Sequence, residues 1–233
     1  VMQNWKITSK DWTTHAIVER NPYYFKVDPQ GNQLPYFDRI VTQQVESPEL
    51  IAMHIVSGEV DKQAWNTRLS DYTLYMENRE AGDYEVYLWN YGTSGTCMHV
   101  NQTKEVEEGD TAAAEMRELL GNHDFLVALS KAIERADLNE LIYQGLADPA
   151  QELFPDAVKN DPEILALYEY DVDEANAILD ELGLDQRDAD GMRLLPSGER
   201  LNMMVIGHVA YSTHLDVAEI VAEFWREVGV RAT

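Results

Sequence analysis

The segment Arg20-Asn-Pro-Tyr-Tyr-Phe-Lys-Val-Asp28-Pro-Gln-Gly-Asn-Gln-Leu-Pro-Tyr-Phe-Asp38-Arg-Ile40 holds two proline turns with aromatic residues at fixed offsets. Proline locks its own φ and biases the preceding residue towards extended backbone, so Asn21 and Leu34 are expected to be extended. Pro29-Gln-Gly31-Asn is turn chemistry. The local expectation is therefore a strand end, a compact loop and a new strand. His15-Ala-Ile-Val-Glu19 and Asp38-Arg-Ile-Val-Thr-Gln-Gln-Val45 supply those flanking strands.

Working outward, Ser47 is placed as a helix N-cap, with Pro48 at the first helical position and Glu49 in the first turn. Leu50, Ile51, His54 and Ile55 follow at helical spacing, and Gly58 stops the run. Val60–Trp65 is expected to be a short strand, about Ser70 to Ala81 a capped helix closed by Gly82, and Tyr84–Tyr91 an alternating aromatic strand. Gly92-Thr-Ser-Gly95 interrupts that run and Thr96–Asn101 resumes it, as either a hairpin or a crossing between lobes. Beyond it, helices are expected over about Thr111–Leu120, Asp124–Arg135, Leu138–Gln144 with Asp137 as N-cap, Asp173–Leu182 and Thr213–Val228. Turns at 187–191 and 196–199 bracket two strands, Met192–Leu195 and Leu201–Gly207, and another strand begins at Val230. Mixed strands and helices throughout predict an α/β or α+β chain, divided near residues 92–101.

Composition narrows the function. With 42 acidic against 18 basic side chains and a net charge of −24, the surface repels polyphosphate and anionic lipid, so nucleic acid is not an expected partner. The single cysteine, Cys97, excludes an intrachain disulfide without fixing the compartment. No apolar run reaches about 18 residues, so no membrane-spanning helix is expected. The chain opens on Val1-Met-Gln-Asn-Trp5 with no visible signal peptide, and is expected to be an internal fragment.

Enzymatic motifs are weak. Gly92-Thr-Ser-Gly-Thr96 has neither the spacing of a nucleophile elbow nor the Gly-Lys-Ser/Thr of a phosphate loop. The histidines (15, 54, 99, 123, 208 and 214) show no zinc spacing. Asp188-Ala-Asp190-Gly191 has the glycine turn of a calcium loop, but Gln186 and Ser197 stand where its first and twelfth ligands belong, and a hairpin turn is the better account. No pair of carboxylates stands out for acid–base chemistry. No metal or cofactor is expected, and enzyme function is not. The aromatic concentration is different: Tyr84, Tyr87, Trp89 and Tyr91 lie beside a glycine-rich break, with Trp65 upstream. Alternate members of a strand face opposite sides, so some belong to a core and others could line a cleft.

As a string, 20–40 closely resembles the signature of the bacterial oligopeptide/dipeptide/nickel class of ABC-transporter solute-binding proteins (extracellular solute-binding protein family five, with the type II periplasmic-binding-protein fold). Other segments follow in order. Ser57-Gly-Glu-Val-Asp61 is similar to the family's Gly-Glu-x-Asp. Phe125-Leu-Val-Ala-Leu-Ser-Lys-Ala-Ile-Glu-Arg135-Ala-Asp-Leu-Asn139 resembles its Phe-Arg-x-Ala-Leu-Ser-x-Ala-Ile-Asp-Arg-x-x-Ile-Asn helix, with Leu126 and Glu134 as departures. Tyr143–Ala150, Tyr170-Asp171, Ala175–Leu184 and Asp188–Arg193 complete the series.

The resemblance implies a two-lobed α/β binding protein, of which this chain is an incomplete part. Residues 1–91 correspond to part of a first lobe, 92–101 to a hinge crossing and 102–233 to part of a second lobe. It implies a monomer, periplasmic or anchored to the outer face of the cell membrane, that captures a peptide or other small-molecule ligand for a membrane permease. Trp65 and Trp89 are expected as flat cleft walls, and Tyr91 and Ser94 as hydrogen-bonding groups near the hinge. Family relatives that take oligosaccharides, opines or nickel complexes keep the ligand open. The chain ends before the region where peptide binders of this family place the acid that pairs with the ligand's amino terminus. A hydrolase with two converging acids and an interaction module exposing a large apolar patch are the readings from other classes.

Overall fold

In the computed structural model the described residues are 3–11, 13–89, 96–147, 161–167, 169–208 and 212–233. They fall into two units, Val1–Tyr87 and Leu88–Thr233.

The first unit begins with an antiparallel sheet in the order β1 (Trp5–Asp11), β2 (His15–Arg20), β3 (Arg39–Gln43). β2 and β3 are the strands expected on either side of the proline loop; β1 is an addition. Its register pairs Trp5 with Arg20 and Asp11 with His15, with an irregularity between Ile7 and Ser9.

The proline loop is stitched from within by three polar side chains. Asn21 is buried; its side-chain amide donates to the Gln3 carbonyl (3.0 Å) and its Oδ1 accepts from the Tyr23 N–H (3.1 Å). Gln33 Nε2 donates to the Pro22 (2.9 Å) and Tyr24 (2.7 Å) carbonyls. Asp28 Oδ1 accepts from the N–H groups of Gln30 (2.9 Å) and Asn32 (2.8 Å), while Gly31 sits at φ +88°. The second unit repeats this turn. Asp188 Oδ1 accepts from the Asp190 (2.8 Å) and Met192 (3.0 Å) N–H groups, with Gly191 at φ +81°. In both places an aspartate closes a five-residue turn that needs a left-handed residue at its fourth position.

Helix α1 (Pro48–Val56) follows the expected start: Ser47 accepts from the Leu50 N–H and Pro48 stands in the first turn. A 3₁₀ turn (Leu69–Asp71) then leads into α2 (Tyr72–Asn78). Three expected strands are absent. Val60–Trp65, the described part of Tyr84–Tyr91, and Thr96–Asn101 are all irregular. A strand exists only through its hydrogen-bonded ladder, and none of these stretches pairs with a neighbour among the described residues. Tyr84 and Val86 are still half-buried while Glu85 and Tyr87 are exposed, so the alternation survives without the ladder.

The second unit is helical: α3 (Thr111–Leu120), α4 (His123–Lys131), α5 (Arg135–Tyr143), α6 (Pro162–Ala166), α7 (Val172–Glu181) and α8 (Ser212–Glu227). Asp110, Asn122, Asp161 and Asp171 cap α3, α4, α6 and α7 through their side chains. The helix expected over 124–135 ends at Lys131, and α5 starts earlier than expected, capped by Glu134 rather than Asp137. The Arg135 guanidinium explains the break, since it donates to the Ser130 (2.9 Å) and Ile133 (3.3 Å) carbonyls at the end of α4. Asp137 instead lies in the first turn of α5, where a carboxylate faces the positive end of the helix dipole.

Phe125, Ala128 and Leu129 of α4 pack with Ala175 and Leu179 of α7, with Val221 and Trp225 of α8, and with Leu184, Leu201, Val228 and Val230. Trp225 Nε1 donates to the Leu129 carbonyl (2.9 Å), which satisfies the one polar atom of that indole. The strands expected over 192–195 and 201–207 shrink to isolated bridges and to β4 (Asn202–Met203), which pairs in parallel with β5 (Arg231–Ala232). Arg193 is wholly buried where these parts meet. It donates to Asp180 Oδ1 (2.5 Å), Asn176 Oδ1 (2.8 Å) and the carbonyls of Leu184 (2.6 Å) and Val228 (2.7 Å).

Candidate functional site

Trp65 belongs to the first unit and is 70% exposed. It sits on the irregular connection between α1 and the 3₁₀ turn, and this connection is tied at both ends. His54 Nδ1 and Glu59 Oε2 pair at 2.5 Å where α1 finishes. At the far end Arg68 grips Asp71 with two nitrogens (Nε to Oδ2, 2.9 Å; Nη2 to Oδ1, 3.2 Å) and reaches Glu49, in the first turn of α1, with Nη1. Gln63 Nε2 donates to the Trp65 carbonyl itself. Asn66, the next residue, takes a left-handed backbone at φ +58°.

The same polar cluster reaches α2. Tyr75 is buried and its hydroxyl makes no hydrogen bond; burial, with the Asp71 carboxylate nearby, pushes its phenol up to about 12. Sequence reasoning passed over Arg68 and Asp71, although their spacing of three residues is the one signal that could have paired them.

Trp89 belongs to the second unit and is 66% exposed, beside exposed Leu88. Tyr91, Ser94 and the Gly92–Gly95 break lie outside the described residues. Both indoles are thus largely uncovered by the described residues.

The remaining constellations resolve locally. Of the histidines, His15 meets Thr14, His99 meets Cys97 and His123 meets Asp124. Among the described residues no group of three or more His, Cys, Asp or Glu could hold a metal ion. At the calcium-like turn Arg200 Nη2 lies 2.5 Å from Asp188 Oδ2 and 2.6 Å from Asp190 Oδ2, so a guanidinium occupies the side where a cation would sit. Among the described residues an open concavity of about 830 Å³ is lined by Lys6, Glu19, Arg20, Phe37, Asp38 and Arg39, and another, of about 500 Å³, by Glu134 and Arg135 at the start of α5, by α6, and by Glu169 and Tyr170. Neither includes Trp65 or Trp89.

Residues 4–233 match the family described as bacterial extracellular solute-binding proteins, family 5 (middle region). The chain belongs to that family, and its fold is that of the α/β type II periplasmic binding proteins. It is 26% identical over 231 residues to a periplasmic alpha-galactoside-binding protein of Rhizobium meliloti (strain 1021), covering 92% of this chain and 32% of that protein. A solved oligopeptide-binding protein OppA superposes with a TM-score of 0.60 at 34% identity, over 100% of this chain and 36% of the other. The periplasmic binding protein MelB of Agrobacterium fabrum C58, solved in complex with stachyose, gives a TM-score of 0.67 at 19% identity, again over 100% of this chain and 36% of the other. The chain thus spans about a third of the length of these relatives.

Proposed function

We propose that the full-length protein is the solute-binding component of a bacterial ABC importer, capturing peptides and delivering them to a membrane permease. The observation that carries this is the family match over residues 4–233, joined by 34% identity to an oligopeptide-binding protein. It works without catalysis, as a monomer, in the periplasm or anchored to the outer face of the cell membrane.

The mechanism is capture by closure. A ligand that contacts both lobes only in the closed form shifts the open–closed equilibrium by its differential affinity, and the closed form is what the permease reads. In this reading the chain contributes 1–91 to one lobe and 102–233 to the other with a crossing at 92–101, although Leu88 and Trp89 group with the second unit. Trp65 and Trp89 provide flat apolar walls; Tyr91 and Ser94 offer hydrogen bonds beside the crossing. Water filling roomy side-chain pockets lets one backbone-reading site accept varied peptides.

A second ligand class is favoured by a specific observation. The Rhizobium relative is an alpha-galactoside binder, and an exposed indole face suits the apolar face of a sugar ring as well as a peptide side chain. Thermal-shift screening of the full-length protein against peptide and oligosaccharide pools separates the two. Ligand at a hundred times Kd stabilises by about 2.7 kcal/mol, a shift of several degrees. Stabilisation by peptides alone supports the first ligand class, and by oligosaccharides alone the second; none by either removes both.

A further inference from the structure

An indole 70% exposed gains little from its own protein, and the backbone around it would be expected to wander. Around Trp65 the opposite holds. The connection starts at the His54–Glu59 pair, where the Glu59 N–H also donates to the His54 carbonyl (3.0 Å). Asn66 is held left-handed directly after the indole, a conformation that asparagine accepts more readily than most residues. Two residues after Asn66, Arg68 closes the connection on two elements at once, gripping Asp71 of the 3₁₀ turn and Glu49 of α1.

The quality of that grip matters. A planar guanidinium held by two nitrogens on one carboxylate fixes orientation as well as distance, which a lysine ammonium does not. The side chains of Arg68 and Asp71 are only 28% and 16% exposed, so solvent screens this pair less than an ordinary surface pair. A wall that is ordered before binding spares the ligand the cost of ordering it.

We propose that Arg68 is a positioning residue for Trp65. By gripping Asp71 and Glu49 it presets the indole as a ligand wall. The ligand half of this statement rests on the proposed solute-binding function; the positional half does not.

The test uses the full-length protein labelled with 5-fluorotryptophan, the Trp65 signal being assigned by Trp65→Phe. Binding of trialanine and of stachyose is measured alongside. In Arg68→Gln and Asp71→Asn the Trp65 fluorine signal moves towards its unfolded position or broadens, the other tryptophan signals stay in place, and affinity for the binding probe falls about tenfold. Arg68→Lys keeps the charge and recovers only part of both. An unmoved Trp65 signal in Arg68→Gln overturns the positioning claim whatever the probes do. An unchanged affinity in Trp65→Ala overturns the ligand-wall reading alone, and the fluorine signal still decides the role of Arg68.

Discussion

Gly58 lies so close to Gly82 that a Cβ on Gly58 would stand 2.6 Å from the Gly82 carbonyl oxygen. Gly82 is crowded in turn: a Cβ there would meet the Tyr84 ring at 2.6 Å and the Val56 carbonyl oxygen at 3.0 Å. The chain leaving α1 therefore touches the chain leaving α2 backbone to backbone, and Gly58 also sits at φ +73°. This contact holds the two ends of the segment that carries Trp65.

Gly58→Ala is expected to destabilise the protein by about 3 kcal/mol, from a left-handed backbone penalty of about 1–2 kcal/mol plus the collision. Gly31→Ala is the control. Gly31 is also left-handed, at φ +88°, but a Cβ there meets nothing within 4 Å. It should cost only the backbone share. Urea denaturation of the two variants reads the difference, and equal losses would show that the Gly58–Gly82 contact is slack.

Tyr75→Phe should stabilise at neutral pH by about 1 kcal/mol, because it deletes a buried hydroxyl that has no partner. It should also flatten the alkaline limb. The folded phenol is raised from its ordinary 10.0 to about 12 by burial, so its contribution is complete below pH 10. Above that the unfolded phenol ionises first, and about 2 kcal/mol is lost by pH 12. Melting temperatures from pH 8 to 11 check this; parallel curves for parent and variant would contradict it.

Arg193→Met keeps the side-chain bulk but strips the Leu184 carbonyl of its guanidinium donor in a fully buried place, and leaves the Val228 carbonyl with only the longer bond from Arg187 Nη2 (3.2 Å). Asp180, itself 56% exposed, stays hydrated. The loss expected is about 3 kcal/mol, from the unpaired Leu184 carbonyl, the weakened bonding of Val228 and the lost contacts to Asn176 and Asp180. Differential scanning calorimetry should show the transition of the second unit moving and that of the first unchanged.

At the acidic end, hydrogen bonds from Asn32 first, then from Tyr36 and Gln30, hold the Asp28 carboxyl below its ordinary range. A depressed acid contributes above its unfolded pKa and loses that contribution as pH falls through its folded pKa. Asp28→Ala should therefore loosen the proline loop at neutral pH and make it less sensitive to pH below about 4. Hydrogen exchange of the Gln30 and Asn32 amides measures it; unchanged protection would sink the claim.

The loop ends were legible because each rests on local chemistry: Ser47-Pro48 starts a helix, Gly58, Gly183 and Gly191 turn the chain, and Asp28 and Asp188 stand at the head of turns whose N–H groups two and four residues on donate to their carboxylates. The strands at Val60, Tyr84 and Thr96 were not, because alternation in sequence says which side chains could share a face and nothing of whether a partner edge is there to bond. β1 escaped for a related reason: Trp5–Asp11 is mostly polar, and only pairing with β2 makes it a strand. The aromatic residues could be found from sequence, and the Arg68–Asp71 half of the grip was open to a spacing argument; its Glu49 half was not, since Glu49 is 19 residues from Arg68.

Calorimetric titration of the full-length protein with the peptide or oligosaccharide that stabilises it most directly tests solute capture. The account predicts saturable binding of one ligand per chain with a negative heat-capacity change, weakened in Trp65→Ala and Trp89→Ala. Absence of saturable heat with every peptide and oligosaccharide offered would contradict it.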